Sequence, residues 1–193
     1  MENFREEKSL LIIKPDGVQK GLIGDIISRI DRVGLKIIAL RMFQASKDQV
    51  DNHYPKDPEW IKRLGTKTLK TYKKYNLDAV KELGTDNEDE LGKMVRGWLV
   101  DYMTSSPLVK LVVKGPHAID MVRKMAGDTM PINADAGTIR GDYSVDSAAI
   151  ANREKRAVMN IVHASETPEE AKHEIEYWFE EDEIHDYDKK GEV

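Results

Sequence analysis

Residues 9–45 decide the fold, and they read SLLIIKPDGVQKGLIGDIISRIDRVGLKIIALRMFQA. The apolar run over residues 9–13 predicts a buried strand that is broken by a proline and followed by a turn. Apolar residues then recur at helical spacing as far as Gly34, which stands where a C-cap glycine belongs. Residues 36–45 predict a second strand, so the stretch forms one strand–helix–strand unit.

A second unit of the same order lies nearer the C-terminus. Its predicted elements are a strand over residues 108–113, a helix ending at Gly127, a loop over 128–141, a short helix over 148–156 and a strand over 158–162. Thr167 then opens a last helix as its N-cap. The two units predict an α+β fold, a ferredoxin-like split β-α-β sandwich in which helices cover one face of a four-stranded antiparallel sheet.

Between the two units, residues 55–101 change in composition and predict two or more surface helices with a linker over 84–87. We therefore expect one domain over residues 1–193 with a helical insert over about 55–101. Its basic and aromatic residues are also compatible with a surface for nucleic acid or a protein partner. Lysines at this spacing more often form one solvated helix face. The residues concerned are Lys67, Lys70, Lys73, Lys74, Tyr72 and Tyr75.

Composition limits the classes of function. The chain has 193 residues, of which 34% are charged, and a net charge of −5, which disfavours a general nucleic-acid surface but not a local basic pocket. It has no cysteine, so disulfides and thiolate metal sites are excluded. Residues 1–8 are polar and no stretch approaches 18 apolar residues, so we expect a cytoplasmic protein without a signal peptide or membrane span.

Residues 160–165, NIVHAS, form an apolar run that stops at His163, just before the helix capped by Thr167. A neutral imidazole beside a helix N-terminus is well placed to accept a phosphoryl group, although such a segment is more often structural. Glu174 lies on the near side of the last helix, where its carboxylate could orient His163 or form an ordinary salt bridge.

Cationic residues supply candidates for phosphate binding. Arg140 lies in the predicted loop between two glycines, which allow the backbone close to a ligand, and its guanidinium fork matches phosphate geometry. Arg123 and Thr129 flank the same loop. Lys14 ends the first strand, where it either reaches solvent or directs a charge at a ligand. Each of these cations could equally be a solvated surface group.

Two other kinds of site are disfavoured. The glycines of residues 17–25 resemble a phosphate loop only superficially, because their spacing is wrong and no Gly-Lys-Ser/Thr follows. The other histidines, His53 among them, lie at helix ends or among acidic residues and show no metal-ligand spacing, so no protein metal site is predicted.

Four blocks in order resemble the nucleoside diphosphate kinase family over nearly the whole chain, from about residue 9 to 187. They are Ile13-Lys14-Pro15-Asp16-Gly17-Val18-Gln19, His53-Tyr54, Gly137-Thr138-Ile139-Arg140-Gly141-Asp142 and Asn160-Ile161-Val162-His163-Ala164-Ser165. The resemblance implies a ferredoxin-like fold and reversible transfer of the γ-phosphate of a nucleoside triphosphate to a nucleoside diphosphate. It implies a ping-pong mechanism through phosphorylated His163, and Mg²⁺ held by the nucleotide phosphates.

The resemblance also implies roles for single residues. His163 would be the nucleophile, held by Glu174 and Ser165, and Tyr54 would lie near the transferred group. Lys14 and Asn160 would contact ribose hydroxyls and phosphates. The phosphate chain would be bound by Arg123, Thr129 and Arg140.

The resemblance implies an aromatic residue that stacks on the nucleobase, upstream of Tyr102. Counting back reaches Val95, the nearest aromatic residue is Trp98, and Trp60 lies further back. The family usually forms hexamers, or tetramers in some members, so a homo-oligomer is expected. A catalytically silent nucleotide-binding module on the same fold is the alternative, but the presence of the nucleophile together with its cations favours the enzyme.

Overall fold

The computed structural model describes residues 5–188, so the first four residues of the polar N-terminal segment lie outside it. The strands are β1 Glu7–Ile13, β2 Lys36–Phe43, β3 Leu108–Gly115 and β4 Val162–Ala164. The helices are α1 Pro15–Gln19, α2 Ile23–Arg32, α3 Lys47–His53, α4 Pro58–Lys74, α5 Ala79–Leu83, α6 Glu88–Thr104, α7 Ala118–Ala126, α8 Ile139–Tyr143, α9 Ala148–Arg153 and α10 Pro168–Trp178. Single 3₁₀ turns cover Pro131–Asn133 and Glu181–Glu183.

The four strands form one sheet in the order β2-β3-β1-β4, and every neighbouring pair is antiparallel. The central strand β1 pairs Leu11 with Leu111 of β3 and Ile12 with His163 of β4. This is the predicted four-stranded antiparallel sheet of a ferredoxin-like fold. Because β4 is short and lies at the edge, His163 is placed beside the end of β1, next to Lys14.

Both faces of the sheet are covered, so the expectation of helices on one face is wrong. Leu11 and Ile13 of β1 belong to the apolar cluster that includes α2 and α7, whereas Leu10 and Ile12 belong to the cluster that includes α6 and α10. Alternate residues of a strand point to opposite faces, and a strand buried on both reads as a continuous apolar run. The continuous run over residues 9–13 is explained by burial of β1 on both faces of the sheet.

The predicted helical insert corresponds to α4, α5 and most of α6, with the expected linker over residues 84–87. Helices α4 and α6 pack so closely that a Cβ at Gly65 would lie 1.8 Å from the carbonyl oxygen of Glu88. A Cβ at Gly92 would lie 2.0 Å from the carbonyl oxygen of Ile61. The two glycines therefore bring backbone against backbone. That residues 1–193 form one domain stays a prediction.

Three local predictions differ from the structure. The expected turn after β1 is the short helix α1, because a proline is well tolerated at the first position of a helix. Arg140 lies on helix α8, not in a loop, since Thr138 caps that helix by accepting from the Gly141 N–H. The strand expected over residues 158–162 begins only at Val162 and continues to Ala164, because Ile161 has a φ of 69° and interrupts the extended backbone. His163 is thus the middle residue of its strand.

No helix within residues 5–188 is long and apolar enough to cross a membrane.

Candidate active site

A cavity of about 810 Å³ opens beside β4, between the end of α3, the segment that follows α7, and α10. Most of the predicted site residues line it, although they come from distant parts of the sequence. They are Lys14, Tyr54, Arg123, Thr129, Arg140, Asn160, His163 and Glu174.

His163 is oriented by a buried carboxylate. Its Nε2 lies 2.7 Å from Glu174 Oε1, and the Ser165 hydroxyl donates to Glu174 Oε2 at 2.6 Å. Burial alone would raise the pKa of Glu174, but the hydrogen bond and charge of His163 outweigh it and hold the pKa below its usual value. An ionised carboxylate only accepts hydrogen bonds, so Nε2 carries a proton, and in the neutral imidazole Nδ1 then has the free lone pair of the potential nucleophile.

His53 is a member of the site that the spacing of histidines did not reveal. The Trp178 indole N–H donates to His53 Nδ1 at 3.2 Å, and the ring stands edge-on to His163 at 5.1 Å between centroids. Burial, followed by the charge of His163, lowers the pKa of His53 to about 3, so the ring is neutral. The resemblance alone pointed to this residue, through the His53-Tyr54 pair.

The donor atoms of His53, His163 and Glu174 lie within 4.8 Å of one another. Sequence spacing did not predict this grouping, because α3, β4 and α10 meet only in the folded chain. Two imidazoles and one carboxylate suit transition metals, whereas Mg²⁺ prefers oxygen ligands. The arrangement therefore does not fit a protein-held Mg²⁺.

Lys14 directs a buried ammonium group towards the cavity. Its Nζ donates to Asn160 Oδ1 at 2.7 Å, and the Asn160 amide donates to the Thr129 carbonyl at 3.0 Å. Burial, followed by the charge of Arg140, lowers the pKa of Lys14 to about 7. An anionic ligand would oppose both effects, because its negative charge favours the protonated ammonium group.

Arg140 is buried and is fixed by the protein itself. Its Nε donates to the Asn160 carbonyl at 3.1 Å, and its Nη2 and Nη1 donate at 2.7 Å to the carbonyls of Val162 and Gly127. Three of its five N–H donors are thus engaged by protein carbonyls. Burial, followed by the charge of Arg123, lowers its pKa to about 10. Arg123 is more exposed and forms an ion pair with Glu166 at 3.1 Å.

The predicted base-stacking residues are not brought to the cavity. Trp98 packs against the small core of the insert around Tyr72 and Leu83, and neither it nor Val95 is among the described lining residues. Trp60 does line the cavity, and its ring stacks on that of Tyr54 at 6.2 Å between centroids. The relevant signal is the position of Trp60 on the first turn of α4, close to the His53-Tyr54 pair.

The sequence also matches a known family and several of its members. The family model for nucleoside diphosphate kinase matches residues 7–62 and 59–184. A nucleoside diphosphate kinase from Pyrobaculum aerophilum is 49% identical over 178 residues, which cover 92% of this chain and 97% of the relative. One from Pyrococcus furiosus is 37% identical over 183 residues, 95% of this chain and 89% of the relative.

Two solved structures are also similar. The crystal structure of an NDP kinase from Pyrobaculum aerophilum has a TM-score of 0.90 and 48% identity, covering 94% of this chain and 100% of that one. A transition-state mimic of nucleoside-diphosphate kinase from Borrelia burgdorferi, with bound vanadate and ADP, has a TM-score of 0.77 and 34% identity. The match covers 97% of this chain and 95% of that one.

A ferredoxin-like sheet that carries a histidine beneath a cation-lined cavity is the arrangement of a phosphotransferase. With the family model matched along nearly its whole length and relatives well above 30% identity, the chain belongs to the nucleoside diphosphate kinase family.

Proposed function

We propose that the enzyme moves the γ-phosphate of a nucleoside triphosphate to a nucleoside diphosphate by a ping-pong mechanism through phosphorylated His163. The observation that carries the proposal is the 2.7 Å contact between His163 Nε2 and Glu174 Oε1 at the wall of the cavity that Lys14, Arg123 and Arg140 also line. The Borrelia burgdorferi relative binds ADP and vanadate together, which supports a reacting phosphoryl position beside the diphosphate.

In the first step, His163 Nδ1 attacks the γ-phosphorus, the bond from phosphorus to the β,γ-bridging oxygen breaks, and the nucleoside diphosphate leaves with that electron pair. The Nε2 proton stays in the hydrogen bond to Glu174, whose negative charge balances the positive charge that develops on the ring. In the second step, a β-phosphate oxygen of another nucleoside diphosphate attacks the phosphohistidine, and His163 is regenerated with its Nδ1 unprotonated.

The remaining residues position and neutralise the substrate. We assign the phosphate chain to Arg123, Thr129 and Arg140, and the ribose hydroxyls and phosphates to Lys14 and Asn160, which are already joined to each other. Fixed cations need no reorganisation as charge moves, which is the main contribution a protein makes to phosphoryl transfer.

Tyr54 and Ser165 complete the proposed set of residues. Tyr54 lies near the transferred group, and burial, followed by the charge of Glu174, raises its pKa, so its hydroxyl stays protonated at neutral pH. Ser165 fixes Glu174 through the 2.6 Å hydrogen bond. Each therefore acts as a hydrogen-bond donor within the site.

Mg²⁺, when bound, would neutralise charge on the nucleotide phosphates. We propose that these phosphates hold it, since its oxygen preference is not met by the two imidazoles beside Glu174. The acidic side chains at the cavity wall, Asp128, Glu166 and Glu170, would add negative charge around it.

We propose Trp60 as the base-stacking residue in place of Trp98 and Val95. Its ring is partly exposed at the cavity, where base–aromatic stacking contributes roughly 1–3 kcal/mol. The neighbouring Tyr54 ring supports its orientation from one side.

A homo-oligomer, hexameric or tetrameric, and a cytoplasmic location stay predictions. The edge strand β2 exposes 49% of Leu40 and 52% of Met42, which supports self-association through that edge. Native mass measurement in the presence of nucleotide tests the subunit count.

The decisive experiment incubates the protein with a γ-labelled nucleoside triphosphate and Mg²⁺. We expect one acid-labile, base-stable phosphate per chain, its loss in His163→Asn, and its discharge by a nucleoside diphosphate. His173→Asn is the control, because His173 also lines the cavity but is exposed on α10. Labelling that persists in His163→Asn would exclude His163 as the nucleophile.

A further inference from the structure

The chain makes a very tight turn immediately before the proposed nucleophile. The Val162 N–H donates to the Asn160 carbonyl at 2.7 Å, and Ile161 between them has a φ of 69°. A three-residue turn closed in this way with positive φ is a γ-turn of the rare, strained kind. Positive φ is unusual for any residue with a side chain and is an outlier for a β-branched one.

Neighbouring groups bind four backbone polar atoms of this turn. Lys14 N–H donates to the Ile161 carbonyl at 2.8 Å, and Arg140 donates to the carbonyls of Asn160 and Val162. The Ile161 N–H donates to Asp16 Oδ2 at 3.2 Å. Strained backbone persists only where the surroundings determine it in this way, and such strain is concentrated at functional sites.

The turn has a geometric consequence for the site. In a continuous strand, residues three apart point to opposite faces, so Asn160 and His163 would lie on different sides of the sheet. With the turn at Ile161, both side chains line the same cavity. The turn is thus what allows the lysine partner Asn160 and the nucleophile to face one substrate.

Asp16 is the side chain that accepts the hydrogen bond from the Ile161 N–H of the turn. It is 4% exposed, and its second carboxylate oxygen accepts from the Tyr102 hydroxyl. Burial, followed by the Asp16 charge, raises the pKa of Tyr102, so the hydroxyl remains a donor at neutral pH. The next residue, Gly17, is packed so closely that a Cβ there would lie 3.0 Å from the Ile161 carbonyl oxygen.

We propose that Asp16 is a positioning residue for His163 phosphorylation, acting through the Ile161 turn and itself held by Tyr102. It touches neither His163 nor the cavity, since it is not among the described lining residues. The inference rests on the proposed function, because it concerns the rate at which His163 takes up a phosphoryl group.

The test measures His163 labelling by rapid quench at saturating nucleoside triphosphate, together with nucleotide affinity and thermal unfolding. A misplacement of about 1 Å can cost on the order of 100-fold in rate, so we expect Asp16→Asn to slow labelling by about that factor. Affinity for the nucleoside diphosphate should change less, because Arg123 and the Arg140 contact with the Gly127 carbonyl lie outside the turn. Tyr102→Phe, which leaves the carboxylate in place, should slow labelling by a smaller factor.

Asp78→Asn is the matched control, since Asp78 also accepts from a backbone N–H, that of Lys81 at 3.0 Å, but lies in the insert. Its labelling rate should equal that of the wild type even if its stability falls. Equal labelling rates in folded Asp16→Asn and the wild type would overturn the inference alone, as would a wild-type rate in Tyr102→Phe. Absence of labelling in the wild type would overturn the proposed function and, with it, this inference.

Discussion

Lys14 should make the stability of the apoprotein depend on pH in a way that a methionine at the same position abolishes. The residue is 7% exposed, its ammonium group lies near Arg140, and its pKa is lowered from 10.5 to about 7. Above pH 7 the folded protein therefore releases this proton, whereas the unfolded chain keeps it until about pH 10.5. The unfolded state then binds more protons, so the free energy of unfolding rises with pH across this window.

The magnitude follows from the two pKa values. One pKa unit corresponds to about 1.4 kcal/mol, and at pH 7 the folded lysine is already about half deprotonated. Between pH 7 and pH 9 the wild type should thus gain about 2 kcal/mol that Lys14→Met does not gain. Below pH 7 the penalty for burying the charge is fully present, and the methionine variant should be the more stable protein.

Denaturant unfolding of both proteins at pH 7, 8 and 9 measures this difference directly. Lys73→Met is the control, because it makes the same replacement at an exposed position of α4. A difference between wild type and Lys14→Met that stays constant from pH 7 to pH 9 would refute the argument, since it would mean that Lys14 titrates alike in both states.

Further predictions concern the site and the insert. Nucleotide binding at pH 7 should take up as much as about half a proton through Lys14, seen as a calorimetric enthalpy that varies with buffer ionisation heat; equal enthalpies in all buffers would contradict this. Glu174→Gln should slow His163 labelling by roughly tenfold to a hundredfold, since a charge-assisted hydrogen bond contributes about 1.5–3 kcal/mol; an unchanged rate in quench experiments would argue against the pair. Trp60→Ala should weaken nucleotide binding by about 1–3 kcal/mol in calorimetry while Trp98→Ala leaves it unchanged, and the reverse result would restore Trp98 as the stacking residue. Gly92→Ala should lower the free energy of unfolding by about 1–3 kcal/mol, because its Cβ would lie 2.0 Å from a backbone oxygen; a wild-type melting curve would show that α4 and α6 can separate freely.

The parts of the fold that depend on local sequence could be predicted. The Thr167 N-cap and the Gly127 C-cap are both present in the structure. Each is a contact within a few residues, so its residue types reveal it. The antiparallel sheet also followed, because two strand–helix–strand units have few ways to combine.

The parts that failed depend on contacts between distant segments. The strand predicted over residues 158–162 has the right residue types, but Asp16 and Arg140, far away in sequence, stabilise a turn at Ile161. His53 reaches His163 because α3 contacts α10 through the hydrogen bond from Trp178. A contact of this kind leaves no spacing pattern in the sequence. Trp98 was nearest in sequence to Tyr102, yet helix α6 turns it into the core of the insert.

The three carbonyls that hold Arg140 have a consequence for how a nucleotide meets the site. A flexible arginine loses side-chain entropy when it closes on a phosphate, of the order of 2 kcal/mol for a fully free chain. Here the guanidinium is immobilised at the time of folding by Gly127, Asn160 and Val162, so that loss does not recur at each turnover. In the proposed ping-pong mechanism a nucleotide binds and leaves twice per cycle, and each arriving phosphate would meet a guanidinium that is already ordered.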